Sequence, residues 1–171
     1  MGSERAAVRS SSPDGLFHVP RVNHPNEWLT PPDIIKALGP FDLDPCAPIN
    51  RPWPTAGRHY TIEDNGLQQP WEGRVWLNPP FGRVIEPFMR RMAEHQNGIA
   101  LVFARTDTAW FQNHVFGAAK ALFFVRGRIA FHLQTGVSSR RSTAGVVLVA
   151  YGWRNVGYLP EAGLEGRLVM L

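Results

Sequence analysis

Apolar positions recur along the chain with two different periods, and together they predict an alternation of strands and helices. Apolar runs and period-two patterns predict strands at residues 41–44, 59–62, 74–77, 99–103, 121–125, 128–133 and 144–151. Helical spacing predicts helices at residues 32–38, 84–96 and 108–117. The alternation favours an α/β fold with a mostly parallel sheet and helices on both faces. Because the last strands follow one another without a helix, antiparallel pairing is expected near the C-terminal end.

Two segments lack an apolar period. Residues 1–24 are rich in Ser, Gly, Arg and Pro, which predicts a flexible N-terminal tail before a single domain of residues 25–171. Residues 136–143 are polar and basic, which predicts a loop between two strands.

Composition narrows the class of protein. The chain has 171 residues, of which 44 % are hydrophobic, so one domain with a sizeable core is expected. No apolar run reaches the roughly 18 residues of a membrane span, and the N-terminus lacks the apolar centre of a secretory signal. The single cysteine, Cys46, fits a reducing compartment. We therefore expect a cytoplasmic protein.

The charge balance raises nucleic acid as a partner. The formal net charge is +4, and Lys36 and Lys120 are the only lysines, so the positive charge is mostly arginine. Arginine presents planar, forked donors that suit phosphates and base edges. An ordinary basic protein is the alternative interpretation, and composition alone leaves both open.

Polar residues follow four of the predicted strands. They lie at residues 44–45, 63–64, 78–81 and 105–107. Ligands of open α/β sheets bind outside the carboxyl ends of the strands, so these segments are expected to meet along one rim. Each segment alone is weak evidence, because an aspartate after a strand usually serves a turn or a helix cap.

The most specific segment is Asn78-Pro79-Pro80-Phe81. The amide oxygen of Asn78 and the carbonyl oxygen of Pro79 are two acceptors, and Pro80 has no N–H that competes for the carbonyl. Two acceptors can receive both hydrogens of an amino group on a ring. Phe81 offers a flat face on which a base gains roughly 1–3 kcal/mol by stacking. The corner therefore suits a flat ring that carries NH₂, such as adenine or cytosine.

This corner resembles the catalytic motif of amino-methyltransferases that use S-adenosylmethionine, written [DNS]-P-P-[YFW]. A wider, ordered set of segments is similar to the phage-encoded Dam-like DNA adenine-N6 methyltransferases: NEWLTPP, FDLDPCA, EDNGL, WEGRVWLNPPFGR, FARTDTAWF and FVRGRIAF. The resemblance covers about residues 26 to 152. The corner by itself also fits enzymes that methylate glutamine, cytosine N4 or the amino groups of RNA bases.

The resemblance implies a Rossmann-like S-adenosylmethionine-dependent methyltransferase acting on double-stranded DNA. Asn78 and Pro79 would hold the adenine N6 amine, Pro80 would keep the corner rigid, and Phe81 would stack on the flipped base. The implied cofactor-binding residues are Thr30, Pro31, Asp44, Pro45, Cys46, Ala47, Asp64 and Asn78. Among them, Thr30-Pro31 would contact the cofactor's carboxylate, Asp44 and its loop the methionine end, and Asp64 the ribose or adenine.

One feature departs from the family pattern. The Gly-x-Gly that usually follows the first cofactor motif is missing, since Cys46-Ala47 leads into Pro48-Ile49-Asn50. The linker from Asp44 to Glu63 is also short and rich in proline. We therefore expect a reduced cofactor half.

We expect arginines to bind the DNA. The expected DNA-binding residues are Arg105, Arg126, Arg128, Arg140 and Arg141. Charge pairs in loops are usually only solvated, and Arg105 could equally pair with Asp107. No separate recognition domain fits in this length, so loops 46–58 and 134–143 are expected to read a short target site.

Some properties stay open or are expected to be absent. The six histidines lack metal-ligand spacing, so no metal is expected. The oligomeric state is open, with a monomer favoured, and a bacterial host with a phage or prophage origin is suspected from the resemblance. The alternatives are methylation of RNA adenine, cytosine N4 or protein glutamine, or an inactive nucleic-acid-binding relative.

Overall fold

A computed structural model of the chain describes residues 28–133 and 135–171. The predicted tail at residues 1–24 lies outside these residues. The α-helices are α1 (Pro32–Leu38), α2 (Ile85–His95) and α3 (Ala109–Phe111). The strands are β1 (Leu43–Asp44), β2 (Arg58–His59), β3 (Val75–Leu77), β4 (Gly98–Phe103), β5 (Ala121–Val125), β6 (Ala130–His132), β7 (Ser138–Arg141), β8 (Val146–Tyr151) and β9 (Gly166–Met170).

Among the described residues, seven strands form one sheet in the order β2-β1-β3-β4-β8-β5-β9, and β6 and β7 form a separate pair. The first four strands are parallel neighbours. The pairings β4–β8, β8–β5 and β5–β9 are antiparallel. The prediction of a mostly parallel sheet is therefore right for the first four strands and wrong for the others. The predicted antiparallel pairing near the C-terminal end is confirmed.

The core lies on both faces of this sheet. Successive residues of a strand point to opposite faces, so Ala100 and Val102 of β4 pack on one side and Ile99 and Leu101 on the other. The first side is covered by α2 and α3, and the second by α1. Two 3₁₀ turns, Trp153–Tyr158 and Pro160–Ala162, complete the second side. The predicted placement of helices on both faces is confirmed.

Helix α1 has the predicted bounds, and α2 begins and ends within one residue of the predicted 84–96. Helix α1 carries proline at its first turn, where a missing N–H costs nothing, and buries Ile34, Ile35 and Leu38. Helix α2 buries Phe88, Met89 and Met92 at helical spacing. It ends at His95, and the next residue, Gln96, has a φ of 53°, in the left-handed region. The predicted helix at 108–117 is a short α3 that continues as a π-helix, Gln112–Phe116.

The prediction of a loop at residues 136–143 is wrong, because β7 lies inside it. Ser138 pairs with His132, and Arg141 pairs with Ala130. Ladder hydrogen bonds join backbone groups, so a Ser-Ser-Arg-Arg strand forms without an apolar alternation to reveal it. Strand β2 shares only residue 59 with the predicted 59–62, and β9 with the two 3₁₀ turns was not predicted. Within the described parts of the chain, no helix has the length and apolar character to cross a membrane.

Candidate active site

The carboxyl ends of β1, β3 and β4 lie at one edge of the sheet because these strands are parallel. The segments that follow them touch one another. The Cys46 thiol donates to the backbone carbonyl of Asn78, with 3.3 Å between sulfur and oxygen. The ring of Phe81 lies against that of Phe103, the last residue of β4. The predicted meeting of the segments after β1 and β3 is confirmed by these contacts.

Asn78 is half-buried and its amide has a defined partner. The Nδ2 group donates to the backbone carbonyl of Trp28 at 2.8 Å. With the nitrogen committed to this bond, Oδ1 is left as the acceptor of the amide. Next to it, Pro79 is buried and Pro80 is exposed. The corner thus fixes the direction in which Asn78 presents its oxygen.

The carbonyl of Trp28 is itself held by the small β6–β7 pair. Leu29 forms an antiparallel bridge with His132, through hydrogen bonds of 2.8 Å and 2.9 Å between their backbone groups. Residues 28–30 therefore extend this pair and lie beside Asn78. Sequence reasoning missed the role of Trp28, because a bond from a side chain to a distant carbonyl leaves no residue pattern.

Thr30 lies in a closed environment next to this bridge. It is 1 % exposed, and its Oγ1 lacks a hydrogen-bond partner among the described residues. Its carbonyl accepts from the indole N–H of Trp53 at 3.3 Å, and the Trp53 ring meets His132 edge-on at 5.2 Å. Pro31 follows as the residue before α1. Trp53 was not named among the predicted site residues, although it lies in the loop 46–58 that was expected to read the target site.

Asp44 is buried, at 3 % exposure, and both its oxygens have protein partners. Oδ2 accepts from the hydroxyl of Thr55, and Oδ1 accepts from the backbone N–H of Cys46 at 3.1 Å. Burial raises the pKa of Asp44 to about 6, while the bonds from Thr55 and Cys46 and the charge of Arg51 act in the opposite direction. The carboxylate therefore organises the loop that follows β1.

That loop is held on its other side by backbone bonds. Ala47 donates to the carbonyl of Tyr60 at 2.9 Å, and Tyr60 donates to that of Asp44 at 2.8 Å. Pro45 and Ala47 are buried and Cys46 is half-buried. Gly66 lies so close to the carbonyl of Pro45 that a Cβ there would overlap it. Glycine is thus required where the next turn packs on this loop.

Asp64 lies in that turn and is exposed. Its Oδ2 accepts from the backbone N–H of Thr61 at 2.8 Å and from the Thr61 hydroxyl at 2.9 Å. These bonds lower the pKa of Asp64, so the group is charged at neutral pH. Oδ1 takes no part in these two bonds.

Phe81 stacks on Phe103. The ring centroids are 4.2 Å apart and the planes differ by 7°. The stack covers one ring face of Phe81, and the residue is 36 % exposed. Phe103 was predicted only as the end of a buried strand.

The predicted DNA-binding arginines are spread over three segments. Arg105 follows β4 and forms an exposed ion pair with Asp107 at 3.6 Å, which is the alternative that the sequence left open. Arg126 pairs with Glu165 at 3.7 Å, and both side chains are 82 % exposed. Arg128 is exposed, and residues 140 and 141 belong to β7. Exposed pairs contribute little, about 0–1 kcal/mol, so Arg105 and Arg126 can exchange partners at low cost.

No group of three or more His, Cys, Asp or Glu side chains that could hold a metal ion occurs in the described part of the chain. The titratable groups near the corner are instead engaged in hydrogen bonds that shape the loops.

Comparison with known proteins identifies the family. The sequence matches the family of DNA N-6-adenine-methyltransferases (Dam) over residues 20–156, which is more than half of the chain. No curated protein and no solved structure gave a match. The match covers the corner, the loop after β1 and the β6–β7 pair. The chain therefore belongs to the DNA N-6-adenine-methyltransferase (Dam) family.

Proposed function

We propose that the protein transfers a methyl group from S-adenosylmethionine to N6 of an adenine in double-stranded DNA, after the base has flipped into the Asn78–Phe81 corner. The observation that carries this proposal is the bond from Nδ2 of Asn78 to the carbonyl of Trp28. It commits the amide nitrogen and leaves Oδ1 as an acceptor one residue from the Pro79 carbonyl. The membership of the Dam family supports adenine in DNA as the substrate.

The corner would activate a poor nucleophile. The lone pair of an exocyclic amine is delocalised into the ring, so the nitrogen reacts weakly. Two acceptors, at Asn78 and Pro79, would bind its two hydrogens and stabilise the positive charge that grows on nitrogen. Because the corner is rigid before the base arrives, this is electrostatic preorganisation. The product ammonium is acidic and can lose its proton to water, so a strong base is not needed.

Phe81 would capture the base. Extracting a base from the duplex costs a few kcal/mol. Stacking on an aromatic ring returns roughly 1–3 kcal/mol per base. The open face of Phe81 is therefore expected to offset part of the flipping cost.

The residues around β1 fit the cofactor. Thr30 offers a buried hydroxyl without a partner in the described part of the chain, which suits the cofactor's carboxylate. Asp64 is charged and exposed, which suits the ribose hydroxyls or the adenine. When bound, S-adenosylmethionine supplies an electrophilic methyl group. Asp44 uses both oxygens within the protein. We therefore assign the direct contacts to Pro45, Cys46 and Ala47, in the shape that Asp44 imposes.

DNA would be held by arginines and read by two loops. Arg105, Arg126, Arg128, Arg140 and Arg141 are assigned to phosphates. Residues 46–58 and 134–143 are assigned to target recognition, and Gly136 lies beside Pro52 and Trp53, so these segments adjoin. The cytoplasm of a bacterial host and a phage or prophage origin remain predictions.

Mass spectrometry of nucleosides tests the proposal. Unmethylated plasmid DNA, total RNA and a protein mixture are each incubated with the protein and tritiated S-adenosylmethionine. We expect label in DNA, recovered as N6-methyladenine. Label as N4-methylcytosine, or only in RNA or protein, would contradict the substrate. Absence of label from all three, despite binding of S-adenosylhomocysteine, would favour an inactive relative.

A further inference from the structure

The ring of Phe81 is packed against the ring of Phe103 rather than held by its own segment of the chain. Phe81 belongs to a run of five exposed residues, 80–84. Gly82 within this run has a φ of +99°, and a Cβ at Gly82 would meet no atom within 4 Å. Such a segment is poorly packed, so it does not by itself fix the plane of the Phe81 ring.

Phe103 is anchored. It ends β4, which lies between β3 and β8 in the middle of the sheet. Its backbone pairs with Val146, and the next residue, Ala104, donates to the carbonyl of Gly145 at 2.9 Å. Its side chain packs against the core on the α1 side of the sheet. Phe103 can therefore set the plane of Phe81 through their stack at 4.2 Å and 7°.

The spacing of the two rings also decides where a base enters. A flat ring inserted between them needs roughly 7–8 Å, twice the optimal carbon–carbon separation. The observed 4.2 Å excludes a third ring between them.

We propose that Phe103 is a positioning residue for methyl transfer: it supports one face of Phe81, so that the flipped base stacks on the opposite face as the outer layer of three rings. This inference rests on the proposed function. It assigns to Phe103 a role that acts only through Phe81.

Phe103→Leu tests it, because leucine stays apolar but has no flat face. In a duplex with 2-aminopurine at the adenine that the wild type methylates, we expect the flipping fluorescence to fall. The KM for DNA should rise about two- to tenfold, as the loss of an aromatic pair predicts, with the KM for S-adenosylmethionine unchanged. Phe103→Tyr, which restores a flat ring, should recover both signals. Phe124→Leu is the matched control: Phe124 is a half-buried phenylalanine that packs on the opposite face, and its loss should change neither signal.

A double-mutant cycle with Phe81→Leu separates positioning from general packing. If Phe103 acts through Phe81, Phe103→Leu has no further effect on the KM for DNA in the Phe81→Leu background. Additive effects would overturn the inference, as would wild-type fluorescence and KM in Phe103→Leu. Should Phe103→Leu lower the melting temperature, Phe103→Met, whose flexible apolar side chain adapts to irregular gaps, replaces it in the same cycle. A wild-type protein that labels no DNA would defeat the proposed function and this inference with it. An active wild type with an indifferent Phe103→Leu would defeat this inference alone.

Discussion

The two halves of the main sheet differ in how they are held together. Strands β2, β1 and β3 form the β1–β3 half, and strands β4, β8, β5 and β9 form the β4–β8 half. Strands β4 and β8 have six residues each, and nearly all of them are buried. Strands β1 and β2 have two residues each. Around them, polar contacts such as Asp44 with Thr55 and Asn78 with Trp28 take the place of apolar pairing. The β4–β8 half is therefore expected to supply most of the stability, whereas the β1–β3 half carries the candidate site.

The magnitudes of the two kinds of contact support this division. Burying a Leu or Val side chain contributes about 1.5–3 kcal/mol. A typical hydrogen bond contributes a net 0.5–1.5 kcal/mol. A change in the β4–β8 half should therefore act mainly on folding. A change in the β1–β3 half should act mainly on methyl transfer.

The largest effect on folding is expected from Leu148→Ala. Leu148 lies in β8 and is fully buried. The substitution should lower the free energy of unfolding by about 2–5 kcal/mol, because it removes apolar contacts and leaves a cavity. Thr55→Val, which removes one bond to Asp44, should cost about 1–3 kcal/mol. Urea denaturation measures both, and a larger loss in Thr55→Val would reverse the assignment of stability to the β4–β8 half.

Asn78→Ala should have the largest effect on chemistry. Loss of one preorganised polar group at a reaction centre typically lowers kcat by about 10²–10³-fold. Binding of S-adenosylhomocysteine, measured by calorimetry, and the melting temperature should stay close to wild type. Asn97→Ala is the control, because Asn97 also donates its amide to a backbone carbonyl but precedes β4, at the opposite edge of the sheet. Full activity in Asn78→Ala would refute the role of the corner.

Strands β4, β5 and β8 could be predicted from the sequence, whereas β9 and much of the β1–β3 half could not. Continuous apolar runs revealed β4, β5 and β8 because their side chains are buried. The Pro79-Pro80 corner was predictable because its residue types restrict the backbone directly. The bond from Asn78 to Trp28 joins residues fifty positions apart through a carbonyl, and the partner of Phe81 lies on another strand, so neither leaves a local pattern. Strand β7 was not predicted either, because its pairing with β6 uses backbone groups and its sequence shows no apolar alternation.

The contribution of Asp44 to folding stability should depend on pH. Its pKa rises from the ordinary 3.8 to about 6 because the folded protein buries it. Between these values the folded state binds more protons than the unfolded state, so the contribution of Asp44 to stability falls as the pH rises from about 4 to about 6. Two pKa units correspond to about 3 kcal/mol. The difference in unfolding free energy between wild type and Asp44→Asn should therefore change across this window, and a constant difference would contradict a buried, titrating Asp44.

The smallest effect is expected from replacing one arginine at the surface proposed to bind DNA. Strand β5 runs in the same direction as β4, since both are antiparallel to β8, so Arg128 after β5 lies at the same edge as the corner. If it contacts a phosphate, Arg128→Gln should reduce the slope of log K against log salt by about 0.9 for duplex DNA and leave kcat unchanged. Arg154→Gln is the matched control, because Arg154 is also exposed but follows the end of β8, at the opposite edge. Fluorescence anisotropy over a range of salt concentrations measures both slopes. Equal slopes in the two variants would mean that Arg128 does not contact a phosphate. DNA would then not lie along the edge of the sheet that carries the Asn78–Phe81 corner.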